Sequence, residues 1–181
     1  MTYYGPKELA ESFRTVRNNT ITIAGEIPAE KYGYQATPDT RTVAQLLTHI
    51  AMSYIFHYQV HAVEKRTTLE GFDFPSLMQK VMAEEQNKRS KEELIGMLME
   101  NRDKWAKWVE GCSESFLAEQ VTMPAGMQPA SKSRFEMIIS VKEHEMHHRG
   151  QLMLIERMLG IVPHITREMQ ARMASMTANK S

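Results

Sequence analysis

Residues 144 to 148 read His-Glu-Met-His-His. On a helix, His144 and His148 sit at i and i+4, so they project from one side about one turn apart and two imidazoles reach one cation. Neutral imidazole is a common ligand for zinc, nickel, copper or iron. Two ligands do not make a site, and at least one more must come from another element.

At ~100° per residue, Met137, Val141, His144, His148, Leu152, Ile155 and Leu159 fall in one narrow stripe. Every member except the histidines is apolar, so the stripe faces a core, where unpartnered imidazoles are costly. Two core histidines bonded to backbone or carboxylates are the plain alternative. The i, i+4 spacing favours a metal, which satisfies both rings at once. The third ligand expected is His49, which shares a largely buried arc with Leu46, Ile50, Ser53 and Phe56. His57 and His61 form a second i, i+4 pair, but it starts about 12 Å further along at 1.5 Å rise per residue, and one site cannot take them all. His57 is expected to line a pocket, His61 to lie on the surface, and His147 to sit at the rim. Glu145, on the flank of the pair, is the candidate catalytic group, near enough to hold a water or move a proton. Three neutral histidines leave a cation its full charge and an open position, the arrangement that activates a bound water or thiol.

These residues must be positioned by helices. Pro6 suits a first helical position, and Leu9, Phe13, Val16, Thr20 and Ile23 recur at helical spacing after it. Thr42-Val-Ala-Gln45 reads as a capping box opening a second helix to about Lys65, and Ser90-Lys-Glu-Glu93 as another opening a third that runs to Gly111. Gly71, Phe72, Phe74 and Pro75 mark a loop before a short helix over Ser76 to Asn87. The stretch Cys112 to Ser131, with Pro124, Gly126 and Pro129, is a connection with room for one short helix. The fourth long helix runs from about Ser133 to Leu159, stopped by Gly160 and Pro163, and a shorter one follows over Thr166 to Ala174. The polar tail Ser175 to Ser181 is expected to fray. No segment shows sustained period-two alternation, so the chain reads as all-α, most simply a four-helix bundle with short extra helices in the connections and at the C-terminus.

At 181 residues the chain, 1–181, reads as one domain. Its 22 basic and 22 acidic side chains cancel, so no global field favours nucleic acid or an anionic membrane. The single cysteine, Cys112, permits no internal disulfide, and no stretch is long enough to span a bilayer; the expectation is a cytoplasmic protein. The many methionines are read as core filler, not a copper site, since the only Met-x-Met pair, Met97 and Met99, points ~160° apart on a helix.

His144-Glu145-x-x-His148 also matches the zincin protease pattern, with the glutamate as general base. Zincins draw a third ligand from downstream, where only Glu156, His164 and Glu168 stand, and no strand is expected to bind an extended peptide, so that reading is set aside. A better likeness runs over nearly the whole chain. Ile27-Pro28-Ala-Glu-Lys31-Tyr32, Thr42-Val-Ala-Gln-Leu-Leu-Thr-His49-Ile-Ala, His144-Glu-Met-His-His148-Arg-Gly-Gln151-Leu152 and Gly160-Ile-Val-Pro163 resemble the DinB/YfiT-like metal-binding four-helix proteins. The resemblance implies a bundle in up-down-down-up order and a divalent metal, nickel or zinc most often, held by His49, His144 and His148. It also implies a small-molecule substrate, a low-molecular-weight thiol as cosubstrate in some relatives, and frequent homodimers.

The leading expectation is a metal-dependent enzyme of thiol S-transferase or hydrolase type. The alternative is a metal-stabilised stress-response or binding protein without turnover. For assembly, Phe135, Ile139, Met146 and Met153 lie ~140–180° from His148 and form a second apolar stripe, for which a two-fold homodimer through this helix is the expected cover and the Cys112 to Ser131 connection the alternative.

Overall fold

The computed structural model describes residues 4–178. In chain order the helices are α1 (Pro6–Glu26), α2 (Val43–Met52), α3 (Ile55–His57), α4 (Phe74–Glu85), α5 (Lys91–Glu110), α6 (Glu114–Ala118), α7 (Arg134–Met158) and α8 (His164–Ala178). A 3-10 turn spans Ala29–Lys31, and a π-helical turn, Tyr58–Val63, continues α3.

Local chemistry fixes the starts. Thr42 Oγ1 accepts from the Gln45 N–H at 3.2 Å while the Gln45 side chain accepts from the Thr42 N–H at 2.9 Å, and Ser90 with Glu93 repeats the exchange. A third such box, Ser133 with Glu136, opens α7. Each cap satisfies donors that a helix start leaves bare, a contribution of about 1 kcal/mol.

Side-chain pairings give the helix directions. Arg14 meets Glu110 and Lys91 meets the Gly25 and Ile27 carbonyls, so α1 and α5 run antiparallel. Asn101 donates to the Ala51 carbonyl and Tyr58 packs edge-on to Trp108, so the second helical run lies parallel to α5. Ser12 meets Lys142 and Arg17 meets Glu145, placing α7 parallel to α1. His49 meets His144 while His61 meets Arg134, so the second run and α7 are antiparallel. The four-helix bundle is therefore up-down-down-up. Its interior divides into an apolar cluster around Ile23, Leu47, Ile50, Leu98 and Leu152, and another around Phe13, Tyr54, Trp105, Ile138 and Val141.

Between these clusters lies a charged knot. Arg17 and Glu145 are both 0 % exposed, and Arg17 Nε donates to the two Glu145 oxygens at 2.7 and 2.9 Å. The other ends of the guanidinium donate to the Leu98 carbonyl at 3.2 Å and the Ile50 carbonyl at 3.1 Å. One side chain thus binds all four bundle walls.

The structure departs from the sequence expectations for these elements in several places. The second long helix is interrupted at Ser53 and Tyr54, beyond which the Glu64 N–H reaches the Gln59 carbonyl in an i to i+5 turn, and Lys65 ends the run at φ 50°. The Cys112 to Ser131 connection holds α6 but also pairs β1 (Gln120–Thr122) antiparallel with β2 (Ser131–Ser133), strands too short to print an alternation. The C-terminal helix continues to Ala178, so the expected fraying tail is helical as far as it is described, and residues 179–181 lie outside the described residues. The second stripe on α7 is mostly covered from within: Phe135 and Ile139 pack on one cluster, Phe135 edge-on to Tyr4 at 6.1 Å, and Met153 packs on the other. Met146 of that stripe is exposed, at 43 %, and the other three are half-buried. Among the described residues no helix is long and apolar enough to cross a membrane.

Breaking one half of a buried ion pair strands the other charge, at a typical cost of 3–5 kcal/mol, whereas replacing both halves by apolar groups is often near neutral. Arg17→Met is therefore expected to lose about 3–5 kcal/mol in urea unfolding. The double variant Arg17→Met/Glu145→Leu should recover more than half of that loss; additive losses in the double variant would refute the coupling.

Candidate metal centre

The last turn of α2 carries His49 and the middle of α7 carries His144 and His148. Antiparallel packing brings them together, with His144 Nε2 lying 3.1 Å from both His49 Nε2 and His148 Nε2. One ligand atom from each of the three lies within 4.8 Å of the others, a group that could hold a metal ion.

The outward nitrogens decide what the inward ones can be. His49 Nδ1 lies 2.7 Å from Glu85 Oε1, a pure acceptor, so the ring proton sits on Nδ1 and Nε2 presents a lone pair. His148 Nδ1 lies 2.8 Å from Gln151 Oε1, while the amide nitrogen of Gln151 faces His147 Nε2 at 3.3 Å, so Nε2 of His148 is likewise a lone pair. His144 has at most one proton to offer two lone pairs, and its buried Nδ1 has no partner. Protons cannot satisfy the converging Nε2 atoms, whereas a cation would, with the proton of His144 left on Nδ1. Three nitrogens at ~2.1 Å from a common centre sit roughly 3.0–3.4 Å apart; two of the three pairs, at 3.1 Å, match this, and the His49–His148 pair lies within 4.8 Å. Burial pushes all three imidazoles down, against the raising pull of Glu85 at His49, with neighbouring histidines adding to it at His144 and His148, and His144 falls to about 4; each is neutral near pH 7, the form that binds metal.

Glu85 is a residue that sequence reasoning missed. It closes α4, is buried, and spreads its two oxygens between His49 Nδ1 and Arg41 Nε, the latter at 2.7 Å. Such a carboxylate orients a metal-binding imidazole and raises its basicity. Its trace in the sequence is faint: a glutamate four residues after Val81, the two being the buried positions of α4.

The other candidates fall elsewhere. Glu145 is turned away from the histidines into the Arg17 pair, because one step from His144 swings a side chain ~100° around α7 towards α1. Both its oxygens are occupied and sealed from solvent, so the expected proton-handling place beside the histidines is not where the chain puts it, and neither is a zincin-type base. His147 is exposed and meets only Gln151 and the His148 ring, as a rim residue does. His57 lines a cavity as expected. His61, expected on the surface, is 1 % exposed. Its ring stays on the side of His57, as i, i+4 spacing gives, the two rings 13° from parallel, and Arg134 of α7 covers it. Arg134 Nη1, always a donor, lies 2.9 Å from His61 Nδ1, so the proton of His61 is held on Nε2. With Nδ1 taken by the guanidinium and Nε2 protonated, His61 has no nitrogen free for a metal, which removes this second pair as a rival site.

Two openings reach the three-histidine group. A cavity of about 530 Å³ is lined by His148 together with Arg41, Gln45, Glu85, Gln86 and Gln151. A second, of about 310 Å³, is lined by His49 and His144.

With three converging imidazoles on this bundle, comparison with known proteins becomes decisive. The family model of the DinB superfamily matches residues 12–152. The chain belongs to the DinB superfamily. Solved structures agree in fold: a DinB-like protein of Bacillus subtilis is 19 % identical, with a TM-score of 0.61 over 84 % of this chain and 92 % of that one. An uncharacterised protein of Clostridium difficile 630 is 14 % identical, with a TM-score of 0.65 over 87 % and 98 % of the respective chains. The comparison with curated proteins found no match.

For this DinB chain, His49→Ala, His144→Ala and His148→Ala are each expected to abolish stoichiometric nickel or zinc binding by calorimetry, and His61→Ala to retain it. Glu85→Gln should weaken binding ~10–100-fold without abolishing it. Full occupancy in His49→Ala would refute the three-histidine group.

A separate expectation concerns acid. Burial lowers His57 to about 3, and burial with Arg134 lowers His61 to about 4, against 6.5 unfolded. Between those limits the unfolded chain binds more protons, so the stability these rings permit above pH 6.5 is lost as pH falls towards 4. Metal-free protein should lose about 2 kcal/mol per ring between pH 7.5 and 5 in urea unfolding, and His57→Phe should flatten that slope. An unchanged slope would mean that His57 is not held neutral.

Proposed function

We propose that this DinB-superfamily chain is a metal-dependent enzyme of thiol S-transferase or hydrolase type. His49, His144 and His148 would hold a divalent metal, nickel or zinc. The observation that carries the reading is the convergence of imidazole nitrogens, two of them with their protons turned outward, at a point flanked by cavities on both sides. Among the described residues the group has no fourth protein ligand, which leaves room for an exogenous one. Such a metal, when bound, lowers the pKa of a water or thiol and so supplies a nucleophile near neutral pH.

The chain's own groups do the rest. Glu85 and Gln151 hold the proton on Nδ1 of His49 and His148 and keep both rings aimed inward. Arg41, Gln45, Gln86 and Gln151 line the larger cavity with donors and acceptors suited to a small polar molecule, the character of a low-molecular-weight thiol. Glu145 has a structural part in this reading, through Arg17, and no proton to move.

A second reading, a metal staple without turnover, is favoured by one observation: the three ligands span α2 and α7 and would tie them together. The two separate in one experiment. Chelated protein is reloaded with nickel or zinc and assayed for conjugation of a chlorinated aromatic electrophile with glutathione, cysteine, bacillithiol and mycothiol, and for ester hydrolysis. The expected result is a metal-dependent rate, at least ~10²-fold above the chelated protein, absent in His144→Ala. A metal that raises the melting temperature but no rate with any thiol or ester would establish the staple instead.

A further inference from the structure

The cavity on the His49 and His144 side does not end at the histidines. It is walled by Leu77, Met78 and Val81 of α4, and its far end meets another of about 360 Å³ lined by Leu69, Phe72, Met123, Met127 and Met137. Phe56, His57, Phe74 and Ser140 line both, so the two are chambers of one cleft with a shared waist. The aromatic walls are ordered: Phe56 stands edge-on to Phe72 at 5.5 Å and to Phe74 at 5.4 Å. At the distal mouth Lys132 and Glu136 offer opposite charges, which selects neither an anion nor a cation.

One polar couple interrupts this apolar lining. Ser140 Oγ lies 2.6 Å from the Met137 carbonyl, so the hydroxyl proton goes there. The 3.2 Å contact of Ser140 Oγ with His57 Nε2 must then be donated by the ring. That leaves His57 Nδ1 as a bare lone pair, shut off from solvent and without a partner. An unmatched acceptor beside the waist of an apolar cleft is costly to the empty protein, and a ligand that brings a donor satisfies it once the ring turns its Nδ1 edge out to the cavity.

We propose that this cleft binds an uncharged, largely aromatic substrate that donates one hydrogen bond to His57 Nδ1 at the waist and presents its reacting end to the three histidines. Calling the ligand a substrate rests on the metal-enzyme reading above; its binding does not. A ligand of this class suits the lining, since apolar pockets of a few hundred Å³ with a few placed polar groups are the usual small-molecule site. The same group distinguishes molecules of equal shape, because a buried acceptor left unpaired discriminates against the analogue without the donor.

The test uses fluorescence titration of 2-naphthol and naphthalene on the full chain, metal-free and metal-loaded, with His148→Ala beside it. The expected result is saturable one-site binding of 2-naphthol in all three, ~3–10-fold tighter than naphthalene. His57→Phe should abolish that preference, with both probes still binding. Met127→Glu, at an exposed rim position, should weaken both probes at least ~10-fold, and Met99→Gln on the remote face of α5 should change neither. Absence of saturable binding, equal affinity of the two probes in the parent, or indifference to Met127→Glu would each overturn the proposal. Since His148 lines the other cavity, His148→Ala removes the metal and not the cleft, and loss of metal with retained 2-naphthol binding separates failure of the metal reading from failure of this one.

Discussion

The bundle turns on Arg17. Its guanidinium carries donors in a planar fork, and the fold spends them on Glu145 in α7, Leu98 in α5 and Ile50 in α2. Two of those positions lie one residue past the histidines that face each other, His144 and His49. The knot therefore fixes the axial register of α2 against α7 at the level where the imidazoles must meet. An apolar core of the same volume could hold the helices together, but apolar contacts slide and rotate with little loss, whereas a buried guanidinium left without acceptors is severely penalised. The arrangement of the histidines inherits its precision from that constraint, and Glu145 belongs to the machinery through it.

Around this fixed level the chain separates two kinds of surface. The side bounded by α2, α7 and the residues before α2 is rich in amides and charges; the side roofed by α4 and the short hairpin is built of phenylalanine, leucine and methionine. The three histidines stand between. The turn after α3 serves the apolar side, since it holds His57 and His61 one above the other with both rings folded inward. Arg134 then fixes the proton of one ring and Ser140 that of the other, so the two neighbours have opposite unsatisfied atoms, a donor on His61 and an acceptor on His57.

What was legible in the sequence is what is local. The boxes at Thr42 and Ser90 signal over three residues and fall where expected, and the apolar stripe of α7 carries its histidines into the core because 3.6-residue periodicity holds along that helix. His49 was legible for the same reason. The rest depends on long-range partners. Nothing near Glu145 announces Arg17, which is 128 positions away, and nothing near Glu85 announces His49, which is 36 away. The placement of His61 failed because the residue that covers it, Arg134, is 73 positions away, and a three-residue strand pair is too short to carry a pattern at all. On the far stripe of α7, the ring that packs on Phe135, Tyr4, is likewise distant in sequence.

Glu85 has one further consequence. It is the polar tip of a helix that belongs to a connection and not to the bundle, yet it holds the ring of His49 and, through Val81, closes the apolar chamber. Docking of α4 and loading of the cation are thus two equilibria that share a hydrogen bond, and thermodynamic linkage makes their influence mutual: whatever steadies the helix tightens the ion, and the ion steadies the helix to the same degree. Evolution can tune the affinity of such a centre by editing a peripheral segment, leaving every ligand untouched.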